Sequence, residues 1–426
     1  GIKPDVFVLS SAMGAYARCG QIDRAREIFD AMETRDPASW TAIISAYAQQ
    51  GDPALAMELY WRMNLEGMEP NRLTYVSLLG GCASLGALDH GKSIYSRFLA
   101  RGFQADLMIQ SALLNLHSKC GSLEDARAQF ATITDRDAAA WTSMIEASAR
   151  HGRIEEARAV FERMPARTLV GWNAMVVWYA RYAIPREALH LFQEMASLDG
   201  LEPDVVSCIG ALAACASLGY LTEGRAVHRA CTARIMTGDD QRRDVVLWTS
   251  LVNMYAKCGE IEEASLVFEE MDERNAVSFN AMMAAFAQNG HLDRALGLYR
   301  RMICEEGLDA DVVTLLCLLV ACNHAGLYAQ GRDLFVQLRG DHEWIAPAVD
   351  HYHCLVDLLS RAGRIDVAEE ILVWMPFQPG AIGWKSLLNG CAVHGDPVRG
   401  ARAAAIACRL DPVDSSQYVL LSNAYA

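Results

Sequence analysis

Three kinds of side chain in this 426-residue sequence carry chemistry: thirteen cysteines, eleven histidines, and a set of cations and small polar groups that recur at fixed spacing. No two cysteines stand in the C-x-x-C spacing of zinc and dithiol sites. Cys82, Cys215, Cys322 and Cys391 each follow an apolar stretch and a small residue, while Cys19, Cys120 and Cys258 precede a turn glycine. Phased in this way, they read as small buried residues in a reducing compartment. His351-Tyr352-His353-Cys354 looks like a fragment of a metal site. No matching ligand group lies elsewhere in sequence, so neither metal nor cofactor is expected. The acid pairs Glu155-Glu156 and Glu262-Glu263 begin helices and line no cleft, which argues against an enzyme.

The cations and polar groups become informative once the chain is cut into units. Each unit is numbered from the first residue after a closing Asp or Asn. Place thirteen is then basic in Arg18, Lys119, Arg150, Arg181, Lys257 and Arg361. Place five is polar in Ser10, Thr41, Ser111, Thr142, Asn173, Thr249 and Asn280, and place two is apolar in Phe7, Val170, Val206, Val246, Val277 and Val313. Places five, nine and thirteen lie four apart, on one stripe of a helix, with place two beside it. A row of cations flanking a row of short hydrogen-bonding groups suits a single nucleic-acid strand: phosphates meet the cations and base edges meet the polar groups. Apolar neighbours supply the flanking surface that unstacked bases need. The net charge of −14 excludes a uniformly basic coat but not such a stripe.

The elements that must hold this stripe are pairs of short amphipathic helices. The units run Val6 to Asp36, Pro37 to Asn71 and Arg72 to Asp106, of 31, 35 and 35 residues. Leu107 to Asp137, Ala138 to Thr168, Leu169 to Asp204, Val205 to Asp244, Val245 to Asn275, Ala276 to Asp311, Val312 to Ala348 and Val349 to Gly380 repeat the pattern. Apolar spacing at i, i+3, i+4 and i+7 marks both halves of each unit as helical, and a glycine such as Gly20 or Gly152 breaks them. A polar insertion at Thr237–Arg243 predicts a surface loop. Such periods mean a stacked solenoid in which repeated Trp, Tyr, Phe and Met are core. No apolar run is long enough for a membrane span. Gly1–Asp5 reads as the tail of a preceding unit, and the chain stops within a helix at Tyr425-Ala426.

The recurrent Tyr16-Ala-Arg-Cys-Gly20, His117-Ser-Lys-Cys-Gly121 and Tyr255-Ala-Lys-Cys-Gly259, with units closing in Pro-Asp or Arg-Asp, resemble the pentatricopeptide-repeat family. Alternation of 31- and 35-residue types is similar to its plant PLS subclass, over eleven units spanning residues 6–380. Ala381 to Asp414, with Trp384-Lys-Ser-Leu-Leu-Asn-Gly-Cys391 and Leu410-Asp-Pro412, resembles an E-type extension, and residues 415–426 the start of a second. The resemblance implies an all-α, right-handed superhelical α-solenoid of helix-turn-helix repeats that binds single-stranded RNA in a mitochondrion or chloroplast. It also implies a role in positioning transcripts for C-to-U editing, with a deaminase or editing co-factor meeting the E-type extension. A deaminase zinc site is absent, since neither His-x-Glu nor Pro-Cys-x-x-Cys occurs.

In the resembled family, place five and the closing residue together select a base. Ser10 with Asp36 and Ser111 with Asp137 imply G; Thr41 with Asn71 and Thr249 with Asn275 imply A. Asn173 with Asp204 and Asn280 with Asp311 imply U. Thr142 with Thr168 and His353 with Gly380 depart from the pattern, and Val76, Ile209 and Leu316 carry no hydrogen-bonding group at place five. The expected target is 5'-GAnGnUnAUnn-3'. RNA stabilisation or splicing, and a tetratricopeptide-like scaffold binding a peptide, are the competing functions.

Overall fold

The computed structural model describes residues 6–32, 34–50, 52–198, 201–235, 244–341, 346–412 and 414–425. The side chains of Phe7 and Arg18, and the insertion at Thr237–Arg243, lie outside the described residues. Two compact units make up the chain, Gly1–Gly210 and Ala211–Ala426.

In the first, helices pair in chain order as α1 (Val6–Arg18) with α2 (Ile22–Ala31), α3 (Pro37–Gln50) with α4 (Pro53–Leu65), and α5 (Arg72–Leu85) with α6 (Leu88–Ala100). They continue as α7 (Leu107–Cys120) with α8 (Leu123–Thr132), α9 (Ala138–Arg150) with α10 (Ile154–Glu162), and α11 (Leu169–Arg181) with α12 (Pro185–Ser197). Helix α13 (Val205–Leu218) contains the division, and α14 (Leu221–Ile235) follows it. The second unit continues with α15 (Val245–Lys257), α16 (Ile261–Glu269), α17 (Ala276–Gln288), α18 (Leu292–Cys304), α19 (Val312–Ala325) and α20 (Tyr328–Asp341). It ends with α21 (Val349–Arg361), α22 (Ile365–Trp374), α23 (Ala381–His394), α24 (Pro397–Leu410) and α25 (Ser416–Tyr425). Among the described residues no strand occurs.

The closing residue sets where each first helix begins. Asn71, Asp106, Asp137, Thr168, Asp204, Asp244, Asn275 and Asp311 each accept, through side-chain oxygen, the N–H three residues on. Each such N-cap satisfies an otherwise orphaned donor and stabilises by about 1 kcal/mol. The first helix ends at a tight turn, as at Gly152, whose φ of 74° would strain a residue with a Cβ. Within each compact unit, a first helix packs on its own second helix and on the next first helix, as α7 does on α8 and α9 and α17 does on α18 and α19. Within each unit the first helices therefore form one layer.

Aromatic edges lock successive helix pairs together. Phe29 meets Trp40 at 4.7 Å, Phe130 meets Trp141 at 5.1 Å, Phe161 meets Trp172 at 4.9 Å and Phe268 meets Phe279 at 5.1 Å, all edge-on. Such pairs add about 0.5–1.5 kcal/mol beyond their burial. Arg35, Arg136, Arg167 and Arg274 lie over the same phenylalanines at 4.5–5.2 Å. Close approach also dictates Gly91, where an added Cβ would sit 2.3 Å from Leu116 Cδ2 of the next helix.

The acids predicted at second-helix starts are there, and arginines tie them to the neighbouring second helix. Arg127 bonds Glu156, and Arg294 bonds Glu262 at 2.6 Å. Much of the negative charge is thus spent on the face of the second helices, where it also suits the helix dipoles. Of the phased thiols, Cys19 is exposed and Cys120 and Cys258 are half-buried, against the expectation of buried residues, because they sit at the end of the first helix beside the turn. The other four are interior, and burial pushes Cys82, Cys322 and Cys391 up to about 11 and Cys215 up to about 12. At neutral pH these four stay protonated and behave as small apolar groups.

Candidate nucleic-acid interface

The stripe named from the sequence exists, and exposure changes along it. At place two the apolar side chains stand in solvent: Val170, Val246 and Val277 are 59%, 60% and 63% exposed, with Val206 and Val313 close behind. Single exposed valines are ordinary; a row of them at one helical position is not. At place thirteen, Lys119, Arg150, Arg181, Lys257 and Arg361 are all exposed. Arg361 is already paired with Asp357 at 3.0 Å, while Arg150 and Arg181 lie 5.6 and 5.3 Å from the Trp178 ring. Among the described residues Lys119, Arg150, Arg181 and Lys257 meet no carboxylate.

Place five corrects the expectation of an open row of hydrogen-bonding groups. Thr41, Ser111, Thr142, Asn173 and Asn280 are only 4–8% exposed, and Ser10 and Thr249 are half-buried. The next first helix covers them, which a single helix's polarity pattern does not reveal. Thr41, Thr142 and Thr249 donate their hydroxyls to the carbonyls of Pro37, Ala138 and Val245 at 2.7–2.8 Å. The asparagines and Ser111 instead turn to the closing residue of their own unit. Asn173 Nδ2 donates to Asp204 Oδ2 at 2.8 Å, Asn280 Nδ2 to Asp311 Oδ1 at 2.9 Å, and Ser111 Oγ to Asp137 Oδ1 at 3.2 Å.

In these three units place five and the closing residue are therefore one hydrogen-bonded group, although about thirty residues separate them in sequence. Of the two, the closing residue faces outward: Asp36, Asp137, Asp204 and Asp311 are half-buried, and Asn71 and Asn275 exposed. Capping fixes what each one presents. The N–H three residues on requires an oxygen, so Asn71 and Asn275 turn Oδ1 inward and leave the Nδ2 donor outward. Asp311 caps through Oδ1 alone, which leaves Oδ2 as an outward acceptor.

The sequence reading missed the residue at place three. Ser39, Thr74, Ser207, Ser278 and Thr314 are fully buried, and each hydroxyl bonds the closing residue before it. Ser or Thr three residues after an Asp or Asn is the capping-box spacing, so the signal was available. Thr74 and Thr314 reach further: Thr74 Oγ1 lies 2.8 Å from Thr41 Oγ1, and Thr314 Oγ1 donates to Asn280 Oδ1 at 2.8 Å.

The two unreadable pairs look different. Thr168 caps α11 weakly, at 3.4 Å from Gly171 N, and Thr142 bonds its own helix. His353 is 8% exposed; burial lowers its pKa, and neither ring nitrogen has a hydrogen-bond partner. Gly380 opposite it offers no side chain. His351 is committed to structure, with Nδ1 accepting from Ala348 N and Nε2 donating to the Val312 carbonyl at 2.7 Å.

Paired helices stacked first on first, most of the first helices opened by a capping residue that in three units also meets the previous place five, define an all-α helical-repeat solenoid. Profiles of the PPR repeat match residues 7–36, 73–103, 139–168, 170–199, 246–275 and 277–306, and that of the PPR repeat family matches 35–84. The chain belongs to the pentatricopeptide repeat family. Among its relatives in Arabidopsis thaliana, pentatricopeptide repeat-containing protein At2g22410, mitochondrial, is 39% identical over 418 residues, covering 98% of this chain and 60% of that one. Pentatricopeptide repeat-containing protein CRR2, chloroplastic, is 32% identical over 430 residues, covering 100% and 60%. This chain thus spans 60% of the length of these relatives. The crystal structure of the pentatricopeptide repeat protein PPR10 from maize shares the fold, with a TM-score of 0.57 at 17% identity over 99% of this chain and 66% of that one.

Proposed function

We propose that the chain binds single-stranded RNA in a sequence-specific way, each readable pair meeting one base. The observation that carries this reading is the outward group on the closing residue, fixed by its capping role. Guanine N1–H and uracil N3–H are donors and match the carboxylate oxygen that capping leaves outward on Asp36, Asp137 and Asp311, and on Asp204 the Oδ2 that also holds the Asn173 amide. Adenine N1 and cytosine N3 are acceptors and match the outward amide of Asn71 and Asn275. Valines at place two on consecutive first helices flank the base, and the cations at place thirteen meet phosphates. Place five acts from beneath, by orienting the closing side chain and presenting its remaining edge to the base.

The target is 5'-GAnGnUnAUnn-3', within a mitochondrial or chloroplast transcript. Relatives named for both organelles support an organellar setting. The PLS-like alternation of unit lengths and the E-type segment at 381–414 support a role in C-to-U editing. The deaminase would act in trans or from sequence beyond this chain, recruited through the E-type segment.

Selection of bound RNAs from a random pool tests binding and code together. The expected consensus places G, A, G, U, A and U at the six readable positions. Recovery of no consensus, or of one unrelated to these positions, contradicts the proposal.

A further inference from the structure

Two pairs in this chain carry the same two reading residues, Asn173 with Asp204 and Asn280 with Asp311, yet their hydrogen bonding differs. In the second, the fully buried Thr314 hydroxyl donates to Asn280 Oδ1 at 2.8 Å and also lies 2.9 Å from Asp311 Oδ1. The Asn280 amide is thereby used at both ends, since its Nδ2 is held by Asp311. In the first, Ser207 stands where Thr314 does. Its hydroxyl lies 2.8 Å from the Asp204 carbonyl and 3.1 Å from Asp204 Oδ1, and it does not reach Asn173. Asn173 Oδ1 is left as a buried acceptor without a partner, on a residue only 7% exposed. A buried acceptor in that state is costly, and a ligand N–H that reaches it recovers the loss.

We propose that place three is a third specificity-determining position, a positioning residue that decides whether the amide at place five has a free acceptor for the base. This rests on the single-stranded RNA reading above. At the nucleotide facing Asn173, the open Oδ1 is a second acceptor that shares the single uracil N3–H with the Asp204 carboxylate, whereas adenine sets its N1 acceptor against both, so uracil is favoured over adenine. At the nucleotide facing Asn280, Thr314 already fills that acceptor, so the same two-residue pair discriminates less. Identical two-residue codes are therefore read with unequal force. The chemistry is hydroxyl orientation: the threonine at 314 directs its hydroxyl back to the previous unit, while the serine at 207 directs it to its own cap.

The reciprocal exchange Ser207→Thr and Thr314→Ser tests this, because both variants keep a hydroxyl in the capping box and so keep the fold. Binding is measured against oligonucleotides that carry uridine or adenosine at each of the two positions in turn, with thermal unfolding of each variant recorded alongside. In the parent chain the uridine-to-adenosine ratio should be about fivefold larger at the Asn173 position than at the Asn280 position, the worth of one hydrogen bond. Ser207→Thr should lower the first ratio by about that factor, and Thr314→Ser should raise the second. A merely structural hydroxyl would shift unfolding, or affinity for all RNAs alike, and leave both ratios unchanged; that result overturns the proposal. If the parent discriminates at neither position, the RNA-reading proposal falls with it. If it discriminates equally at both and the exchange does nothing, only the role of place three falls.

Discussion

The unit at 276–311 and the last one, at 349–380, have the same helices and differ in what lies between them. In the first, Asn280, Asp311 and Thr314 close a network in which one carboxylate caps α19 and holds the amide above it. In the second, His353 sits over Gly380 and Gly383 with both ring nitrogens unpartnered, and α23 begins without a side-chain cap. The comparison shows that starting a helix and presenting an outward hydrogen-bonding group are one act in this fold. Where the closing residue loses its side chain, the cap and the outward hydrogen-bonding group vanish together.

Packing underlies both regions, so its loss should have the largest effect. Phe279 is fully buried edge-on to Phe268, and Phe279→Ala should cost about 3–5 kcal/mol in chemical denaturation. Its equivalent in the last unit, Tyr352, is only partly buried beside Phe335, and Tyr352→Ala should cost less. Equal losses would remove the contrast in packing.

Rebuilding the missing pair should come next. Gly380 has a φ of −75°, and an added Cβ would meet the His353 ring at an ordinary 3.5 Å. Gly380→Asp should therefore restore the side-chain cap and stabilise by about 0.3 kcal/mol, glycine being itself a tolerated N-cap residue. Together with His353→Asn it should create a preference for uridine at a nucleotide the parent does not select, read by single-nucleotide replacements in a binding assay. Added stability without a new preference would separate capping from reading.

A third effect distinguishes His353 by pH. Burial lowers the pKa of His353, as it does for His117 and His228, below the unfolded value near 6.5, while Asp350 at 3.9 Å only partly opposes this. Between those two pKa values the unfolded chain binds more protons, so stability rises with pH there and falls as the solution is acidified. His353→Gln should flatten that fall between pH 7.5 and 5.5 in denaturation curves. An unchanged pH dependence would mean the imidazole is more solvated than its burial indicates.

The smallest effect concerns the cations. Lys257→Gln should weaken all RNAs and reduce the slope of log affinity against log salt by about 1. Arg361→Gln should change it less, because Asp357 already neutralises that guanidinium. Equal slopes would indicate that RNA displaces Asp357.

Much of this was legible in the residues, and the gaps have definite causes. The closing Asp or Asn stood out because it recurs at the unit boundary, and the aromatic four residues after it marked the core correctly, as Trp40, Trp172 and Phe279 show. Burial of Thr41, Asn173 and Asn280 was not legible, because the surface covering them belongs to the next unit. Periodicity within one helix reports only its own polar face. Place three was legible in principle: Asp204 with Ser207 and Asn71 with Thr74 have capping-box spacing, but their hydroxyls read equally well as ordinary helix-start residues. The difference between Ser207 and Thr314 appears only when the neighbouring amide is in place.

A redirected pair tests the central claim most directly. Asn280→Thr with Asp311→Asn keeps a competent N-cap on α19 while turning the outward group from acceptor to donor. Measured against oligonucleotides that differ only at the facing nucleotide, the double variant should move its preference there from uridine to adenosine and leave every other position unchanged. A preference that stays with uridine, or affinity that falls equally for all four nucleotides, would contradict the account.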